Sequence, residues 1–403
     1  MISRYETQFM NLAFSVMKTG FYQKNERTGI GTKRLSHGIL QCDLEKELPI
    51  LTSKKVYWKS AVDEILWIYK LQSNVVADLK SHIWDSWKKE DGTIGKAYGY
   101  QIKQFSQVDR VLEELRKDPS SRRAVIDLWQ CKDLPEMALT PCVYTSVWDV
   151  VAGKLNVLVT SRSCDLLVGG VFNVLQYAIL CHLFARDLGL TAGLITFVAA
   201  DVHIYENQFD AFTKWAKQFK QEIACGQYES IPEHLAERMS STIENRLREA
   251  GHPSEDSDEY KSIMDEYETE FVDRLKKLQE DFIKNVTTEY TDTAKMLCDT
   301  KKLEFLAEYN EKNHTNYSPE TIPEDIIKEN HLDEEFKKIH DDVQVLLDEM
   351  ISAIHSEEYK AAYNCSPKLV LNNEKTSFYD FTLDDISIED YKSLGKIEFE
   401  VAV

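Results

Sequence analysis

The sequence lacks closely paired cysteines, although its 403 residues include eight cysteines. No two of them form a C-x-x-C pair, which is the spacing typical of structural zinc sites, so we expect no metal centre. Eight cysteines in so long a chain also do not make the dense disulfide framework of a small secreted domain. Their distribution indicates thiols that stay reduced, and hence a cytoplasmic protein.

A long uninterrupted apolar stretch is also missing. The most apolar run, residues 171–190, is broken by five polar or charged side chains: Asn173, Gln176, His182, Arg186 and Asp187. This composition predicts a buried core helix, and we expect no membrane among the partners of the chain. The first residues also lack the basic and apolar regions of a signal peptide.

The sequence also lacks an excess of basic residues, since its formal net charge is −20. Residues 221–360 contain 36 acidic and 16 basic residues, so this segment accounts for the entire net charge. Such a segment repels a polyanion, and we therefore expect no nucleic acid among the partners. The neutral remainder of the chain still leaves room for a local basic pocket that binds one phosphate.

Apolar periodicity predicts an α+β fold with a mostly β core and one long buried helix. Helices are expected at residues 4–20, 59–71, 108–117, 171–188 and 205–219. Strands are expected at residues 39–44, 124–129, 143–150, 155–160, 195–202, 367–371, 378–381 and 396–403.

The acidic segment differs from the rest of the chain because its apolar residues follow a helical spacing. It predicts an insertion of about five to seven helices of ordinary length. We therefore expect a catalytic body at 1–220, an acidic helical insertion at 221–365, and C-terminal strands with a closing tail at 366–403. The insertion is a candidate docking module for a protein partner.

Cys142 is the candidate nucleophile. A thiolate adds to electron-poor carbon better than a hydroxyl does. An isolated cysteine is more often a buried structural residue, but here arginines accompany it. Guanidinium groups and a hydroxyl suit a phosphate dianion, and the candidates are Arg27, Arg122, Arg123, Arg162 and Ser163.

Asn173, His203 and Tyr205 are candidates for recognising a base and a sugar. The Asn173 amide offers a donor and an acceptor, which can pair with O4 and N3–H of uracil. The alternative role for Asn173 is the N-cap of the long helix. His203 and Tyr205 are two residues apart at a strand end, so they share a side and can hold a sugar hydroxyl. Alternatively, they are simply half-buried polar residues.

Glu64 and Trp84 complete the set of candidates. A carboxylate among apolar side chains can have a raised pKa and relay protons, although Glu64 alternatively faces solvent. Trp84 suits stacking on a flat ring, and its alternative role is ordinary core packing.

These motifs closely resemble the thymidylate synthase family over residues 5–220 and 366–403. The resemblance rests on Arg27-Thr28-Gly29, Asp63-Glu64-Ile65-Leu66-Trp67, Ile83-Trp84-Asp85-Ser86-Trp87, Tyr98-Gly99, Ser121-Arg122-Arg123, Pro141-Cys142, Arg162-Ser163-Cys164-Asp165, Phe172-Asn173, Asp201-Val202-His203-Ile204-Tyr205 and Val401-Ala402-Val403.

The resemblance implies a homodimer in which Arg122 and Arg123 reach the phosphate bound in the other subunit. It implies that Cys142 adds to C6 of dUMP and that 5,10-methylenetetrahydrofolate, the co-substrate, donates one carbon at C5. The implied catalytic residues are Cys142, Glu64, Tyr98 and Asp165. The implied folate contacts are Ile83, Trp84, Asp165, Gly169, Phe172 and Val403.

Three departures from the family pattern bear on the product. Val143 replaces the histidine that usually follows the nucleophile, Val171 replaces a proline, and Ser393-Leu394-Gly395 replaces Pro-His-Pro. These positions border the region where the folate and the closing tail meet. A wetter site lets water add to the methylene intermediate. We therefore expect a hydroxymethylase that converts dUMP to 5-hydroxymethyl-dUMP, as viral relatives do.

The alternatives are a thymidylate synthase, which forms dTMP and dihydrofolate, and a dCMP hydroxymethylase. A non-enzymatic docking or RNA-regulatory protein is a further alternative. The intact set of candidate catalytic residues argues against that last reading.

Overall fold

The computed structural model describes residues 2–24, 28–318, 320–399 and 401. The chain divides into two compact units, residues 1–220 with 361–403, and residues 221–360. The first unit combines a twisted sheet with helices, so the prediction of an α+β fold is confirmed. That the second unit is an accessory to a separate catalytic body stays a prediction.

A seven-stranded sheet, counted over the described residues, organises the first unit. The strands of the unit are β1 (Phe21–Lys24), β2 (Gly31–Asp43), β3 (Val125–Asp127), β4 (Val143–Val151), β5 (Lys154–Ser161), β6 (Cys164–Asp165), β7 (Thr191–Tyr205), β8 (Lys368–Leu371) and β9 (Ile386–Glu389). The order in the sheet is β1-β2-β7-β5-β4-β3, with β6 paired to β7, while β8 and β9 form a separate hairpin.

The helices extend over both units. They are α1 (Arg4–Thr19), α2 (Trp58–Tyr69), α3 (Gly99–Gln104), α4 (Gln107–Lys117), α5 (Val171–Leu188), α6 (Phe209–Glu229), α7 (Ile231–Glu249), α8 (Asp258–Asn313), α9 (Glu324–Glu329), α10 (Leu332–Ile354) and α11 (Glu357–Asn364).

Strand β7 is central to the sheet, because it pairs antiparallel with β2 and parallel with β5 and β6. Side chains alternate between two faces along these strands. One face is buried and includes Val159, Ile195 and Phe197, whereas the other leaves Ile39 and Leu158 61% and 40% exposed. The sheet therefore has an open face that is partly apolar.

Helix α5 is apolar on all sides and forms the core of the first unit, as predicted. It ends at Gly189, which adopts a left-handed conformation (φ +67°) at no steric cost. A π-helical turn at Leu166–Gly170 precedes the helix. The segment Leu166–Leu188 is long and apolar enough to cross a bilayer, but 72% of its apolar window is buried inside the protein. This burial is typical of a core helix.

The second unit is helical, as predicted, but its helices are not all of ordinary length. Helix α8 alone spans 56 residues. It contains no proline or glycine, and the Ser257 side chain caps its N-terminus by accepting from the Tyr260 N–H. Nothing in this stretch interrupts the helix. The described residues of 221–364 contain α7 to α11 and the end of α6, which agrees with the five to seven helices expected, but the expectation of ordinary lengths was wrong for α8.

Two expected strands were wrong, and one expected helix begins later than predicted. The helix expected at residues 205–219 begins at Phe209 as α6, because Tyr205 still belongs to β7. The expected strand at 378–381 is a 3₁₀ turn at Phe378–Asp380. The described part of 396–403 forms no strand. Phe378 and Phe381 are buried, and short apolar clusters of this kind are typical of turns as well as strands.

Candidate active site

A cavity of about 520 Å³ opens where the N-terminal end of α5, the end of β7, the start of β4 and helix α2 meet. The sequence-predicted residues that line it are Glu64, Ile83, Trp84, Tyr98, Cys142, Arg162, Ser163, Asp165, Gly169, Phe172, Asn173, His203 and Tyr205. Residues from distant parts of the sequence are therefore assembled in one site.

Two of the described residues that were predicted for the site, Arg122 and Arg123, are not part of this lining. Arg122 and Arg123 lie before β3, where both are exposed, and Arg123 forms an ion pair of 3.0 Å with Glu114. Arg27 and Val403 lie outside the described residues.

Cys142 lies directly before β4, and its backbone is held on both sides. Its N–H donates to the Tyr98 hydroxyl at 3.2 Å. Its carbonyl accepts from the Arg162 N–H at 2.8 Å and from the Ser161 hydroxyl at 3.1 Å. These contacts fix the position of a half-buried thiol at the cavity wall.

The Arg162 guanidinium is ordered by the loop that carries Cys142. It donates to the carbonyls of Pro141 (3.0 Å) and Thr140 (2.9 Å), and it lies over the Trp129 ring at 5.7 Å. The arrangement places a permanent positive charge in the cavity that contains the thiol, together with the Ser163 hydroxyl.

Tyr98 occupies a strained backbone conformation with φ +46°, which is rare for a residue with a side chain. The next residue is Gly99, where a Cβ atom would lie only 2.1 Å from the Ser73 carbonyl oxygen. Burial raises the pKa of Tyr98 well above its usual value, with further contributions from Cys142 and Glu64. Its hydroxyl is therefore neutral and able to donate.

Glu64 lies on α2 with both carboxylate oxygens bound. The Trp84 indole N–H donates to Oε1 at 2.6 Å, and the Gln176 amide donates to Oε2 at 2.5 Å. Burial raises the pKa of Glu64, while these two hydrogen bonds oppose the rise. Glu64 is thus half-buried in the cavity wall, and the Trp84 N–H orients it.

No sequence motif marks Gln176 as a site residue. In the sequence it is only a polar interruption of an apolar helix. An amide on a buried helix needs a partner, and this requirement was the available signal.

Asn173 lies in the first turn of α5 and is not its N-cap, a position that Gly170 occupies. Among the described residues its side chain has no hydrogen-bond partner, although it lines the cavity. A donor and an acceptor are therefore available to a ligand.

His203 and Tyr205 project from the end of β7 into the cavity. The His203 Nδ1 lies 2.9 Å from the Asp201 carboxylate. The His203 and Tyr205 rings meet edge to face, with their centroids 5.1 Å apart. The pair therefore has a defined orientation towards a ligand.

Asp165 is a buried carboxylate with one oxygen in use. Gln208 donates to its Oδ2 at 3.1 Å, while Oδ1 is buried and accepts no hydrogen bond from the described residues. Burial raises the pKa of Asp165, opposed by His203, by the Gln208 hydrogen bond and by the backbone N–H groups of Val168 and Leu167. Together with Trp84, Trp87 and Phe172 of the same cavity, the Oδ1 atom fits a flat ring with an N–H donor at its edge.

The described part of the chain contains no group of three or more His, Cys, Asp or Glu side chains arranged to hold a metal ion.

Comparison with known proteins identifies the family. The thymidylate synthase family model matches residues 7–231. The thymidylate synthase of Clostridium beijerinckii is 46% identical over 212 residues, covering 52% of this chain and 80% of that protein. The chain belongs to the thymidylate synthase family.

Other members of this family give a consistent picture. The thymidylate synthase of Bacillus licheniformis is 42% identical over 231 residues, covering 52% of this chain and 82% of that protein. The solved structure of thermostable thymidylate synthase A from Bacillus subtilis superposes with a TM-score of 0.59 at 26% identity, covering 99% of each chain.

The reactivity of Cys142 can be tested with iodoacetamide and peptide mass mapping. We expect Cys142 and the exposed Cys131 to be alkylated first, because the other six cysteines are buried. Cys131 is the internal control for access by the reagent. Alkylation of Cys142 no faster than that of the buried Cys164 would contradict the position of its thiol at the cavity wall.

Proposed function

We propose that this protein is a thymidylate synthase, which methylates C5 of dUMP with 5,10-methylenetetrahydrofolate as the donor of both carbon and hydride. The observation that carries the proposal is one cavity that unites the Cys142 thiol with the Asn173 amide and the Oδ1 of Asp165, neither of which has a hydrogen-bond partner among the described residues. Membership of the family and the names of its similar members support the same reaction.

The hydroxymethyl product expected from the sequence has less support. None of the relatives named above is a hydroxymethylase. Val143 and Val171 are only 4% and 3% exposed, and Leu394 is buried with its N–H bound to the Thr52 carbonyl at 2.9 Å. Val143, Val171 and Leu394 are therefore apolar, packed side chains where a wetter site would need polar space, which favours exclusion of water and a methyl product.

The proposed reaction assigns a role to each residue. The Cys142 thiolate adds to C6 of the uracil ring, and the Asn173 amide binds the O4 and N3–H edge. The methylene carbon joins C5, and the C5 proton then leaves with the help of Tyr98 and Glu64 while the bond between the methylene carbon and the folate nitrogen breaks. This releases tetrahydrofolate and leaves an exocyclic methylene group at C5. Hydride from the tetrahydrofolate adds to that methylene carbon as the bond from Cys142 to C6 breaks, and dTMP and dihydrofolate result.

The orphan oxygen of Asp165 is the proposed acceptor for an N–H of the pterin. A buried acceptor without a partner costs about 1–3 kcal/mol, so a ligand that supplies a donor gains that energy on binding. Ile83, Trp84, Gly169 and Phe172 line the same cavity and supply the surface for the flat ring.

A homodimer is proposed because the phosphate site is incomplete in one chain. Arg162 and Ser163 line the cavity, whereas Arg122 and Arg123 lie outside it and are exposed. The open face of the sheet, including Ile39 and Leu158, is a suitable dimer surface. In such a dimer the two arginines bind the phosphate in the other subunit.

A cytoplasmic location is proposed for the enzyme. All eight cysteines are unbridged, and Cys142 must remain a thiol for the proposed reaction.

The product distinguishes the proposed reaction from hydroxymethylation. We expect dTMP by mass spectrometry, with one dihydrofolate formed per turnover by absorbance. Cys142→Ser should lower kcat by at least about 10³-fold, because the covalent step is lost, while Cys131→Ser serves as the matched control. A hydroxymethyl product without dihydrofolate would overturn the proposal.

Gln176→Leu tests the support of Glu64. Removing the amide destabilises the ionised carboxylate, so the pKa of Glu64 should rise and the acid limb of the kcat–pH profile should move to higher pH. Trp84, Asp63 and Tyr98 remain in this variant and continue to influence the pKa of Glu64. We expect kcat at neutral pH to fall about tenfold. The exposed Gln104→Leu is the control, and an unchanged acid limb would contradict this role.

Mixed dimers test the donation of arginines. A Cys142→Ser chain paired with an Arg122→Ala/Arg123→Ala chain should retain about half of the wild-type activity, because one site is complete. A wild-type chain paired with the triple variant should be nearly inactive. Differently tagged chains allow both dimers to be purified. If instead the first mixed dimer is nearly inactive and the second retains about half of the wild-type activity, each chain uses its own arginines.

A further inference from the structure

Arg34 lines the active-site cavity, although it belongs to none of the motifs that identify the site. It lies on β2 directly opposite His203 of β7, and Thr32 lies opposite Tyr205 in the same register. Directly opposed residues in an antiparallel pair project on the same face of the sheet. The strand pairing therefore directs Arg34 towards the side of the cavity that contains His203 and Tyr205.

The contacts of Arg34 form a short relay to His203. The Arg34 guanidinium forms an ion pair with Asp201, and its Nη1 donates to the Gln23 side-chain oxygen at 3.2 Å. The other oxygen of Asp201 lies 2.9 Å from the Nδ1 of His203. Arg34 and His203 thus bind opposite oxygens of one carboxylate.

This arrangement determines which ring nitrogen of His203 is available to a ligand. An ionised carboxylate only accepts hydrogen bonds, so Nδ1 must carry the proton that it shares with Asp201. The Nε2 atom of a neutral ring then accepts a hydrogen bond from a ligand hydroxyl. Arg34 holds the Asp201 carboxylate in place, because a bound guanidinium restrains its rotation.

We propose that Arg34 is a positioning residue that, through Asp201, orients His203 to accept the 3′-hydroxyl of the nucleotide. The proposal rests on dUMP as the substrate. It assigns selectivity for a 3′-hydroxyl to a residue that does not touch that hydroxyl. Arg34→Ala leaves Asp201 free to rotate, and His203 then loses its single orientation.

Two other roles for Arg34 give different results. Its side chain is 43% exposed, so the first alternative is that it forms an ordinary surface ion pair with Asp201 that contributes little to stability or binding. It also lies in the same cavity as Arg162, and a direct bond to the nucleotide phosphate is the second alternative.

The test compares the binding of dUMP with that of 2′,3′-dideoxyuridine 5′-monophosphate, which lacks the 3′-hydroxyl. We expect Arg34→Ala to weaken dUMP binding by calorimetry about tenfold, the effect of one hydrogen bond, and to leave binding of the dideoxy nucleotide nearly unchanged. Lys24→Ala, which removes an exposed charge from neighbouring β1, is the matched control. If Arg34→Ala weakens the binding of both nucleotides equally, Arg34 contacts the phosphate. If the binding of neither nucleotide changes, Arg34 is only part of a surface ion pair. Either outcome overturns the proposal.

A second measurement does not depend on the nucleotide. In the ligand-free protein, ¹⁵N NMR of the histidine rings should show His203 protonated at Nδ1, and a mixture of tautomers in Arg34→Ala. Arg34→Lys keeps the charge but loses the planar fork, so it should restore the single tautomer only in part. If the wild-type protein fails to bind dUMP, the proposed function fails. A tautomer of His203 that is unchanged in Arg34→Ala overturns the role of Arg34.

Discussion

The pairing of β7 with strands on both sides is the constraint on which the active site depends. Its antiparallel register with β2 places Arg34 opposite His203, and its parallel register with β5 ends at Ser161, next to Arg162. A parallel connection needs a crossover, and the long helix α5 supplies it. A slip of one residue would turn His203 to the other face of the sheet.

Burial then determines what the carboxylates in the cavity can do. Glu64 and Asp165 are both partly buried, and burial raises the pKa of each. Each oxygen of Glu64 accepts one hydrogen bond, from Trp84 and Gln176, whereas the Oδ1 of Asp165 has no partner among the described residues. Burial thus makes Glu64 a group for proton transfer and makes Asp165 a binding site for a hydrogen-bond donor.

Much of this site could be predicted from short motifs. Cys142, Asn173 and His203 have side chains whose chemistry suits a nucleotide, and they line the same cavity. Gln176 and Arg34 could not be found in this way. Their roles come from partners far away in the sequence, and an isolated glutamine or arginine has no local pattern. The cap role considered for Asn173 was wrong, since the helix starts at Val171, as its predicted range 171–188 already implied, and Gly170 occupies the N-cap.

The local sequence by itself determined the alternation of the strands, the end of α5 at Gly189 and the concentration of acidic charge in residues 221–360. These features depend on neighbouring residues, and backbone sterics or charge composition suffice to produce them. Tertiary structure alone decided that Gln176 meets Glu64, that Arg34 meets Asp201, and that Val143 and Val171 are packed away from water. Strand register and helix packing bring these groups together, and no local pattern specifies such long-range contacts.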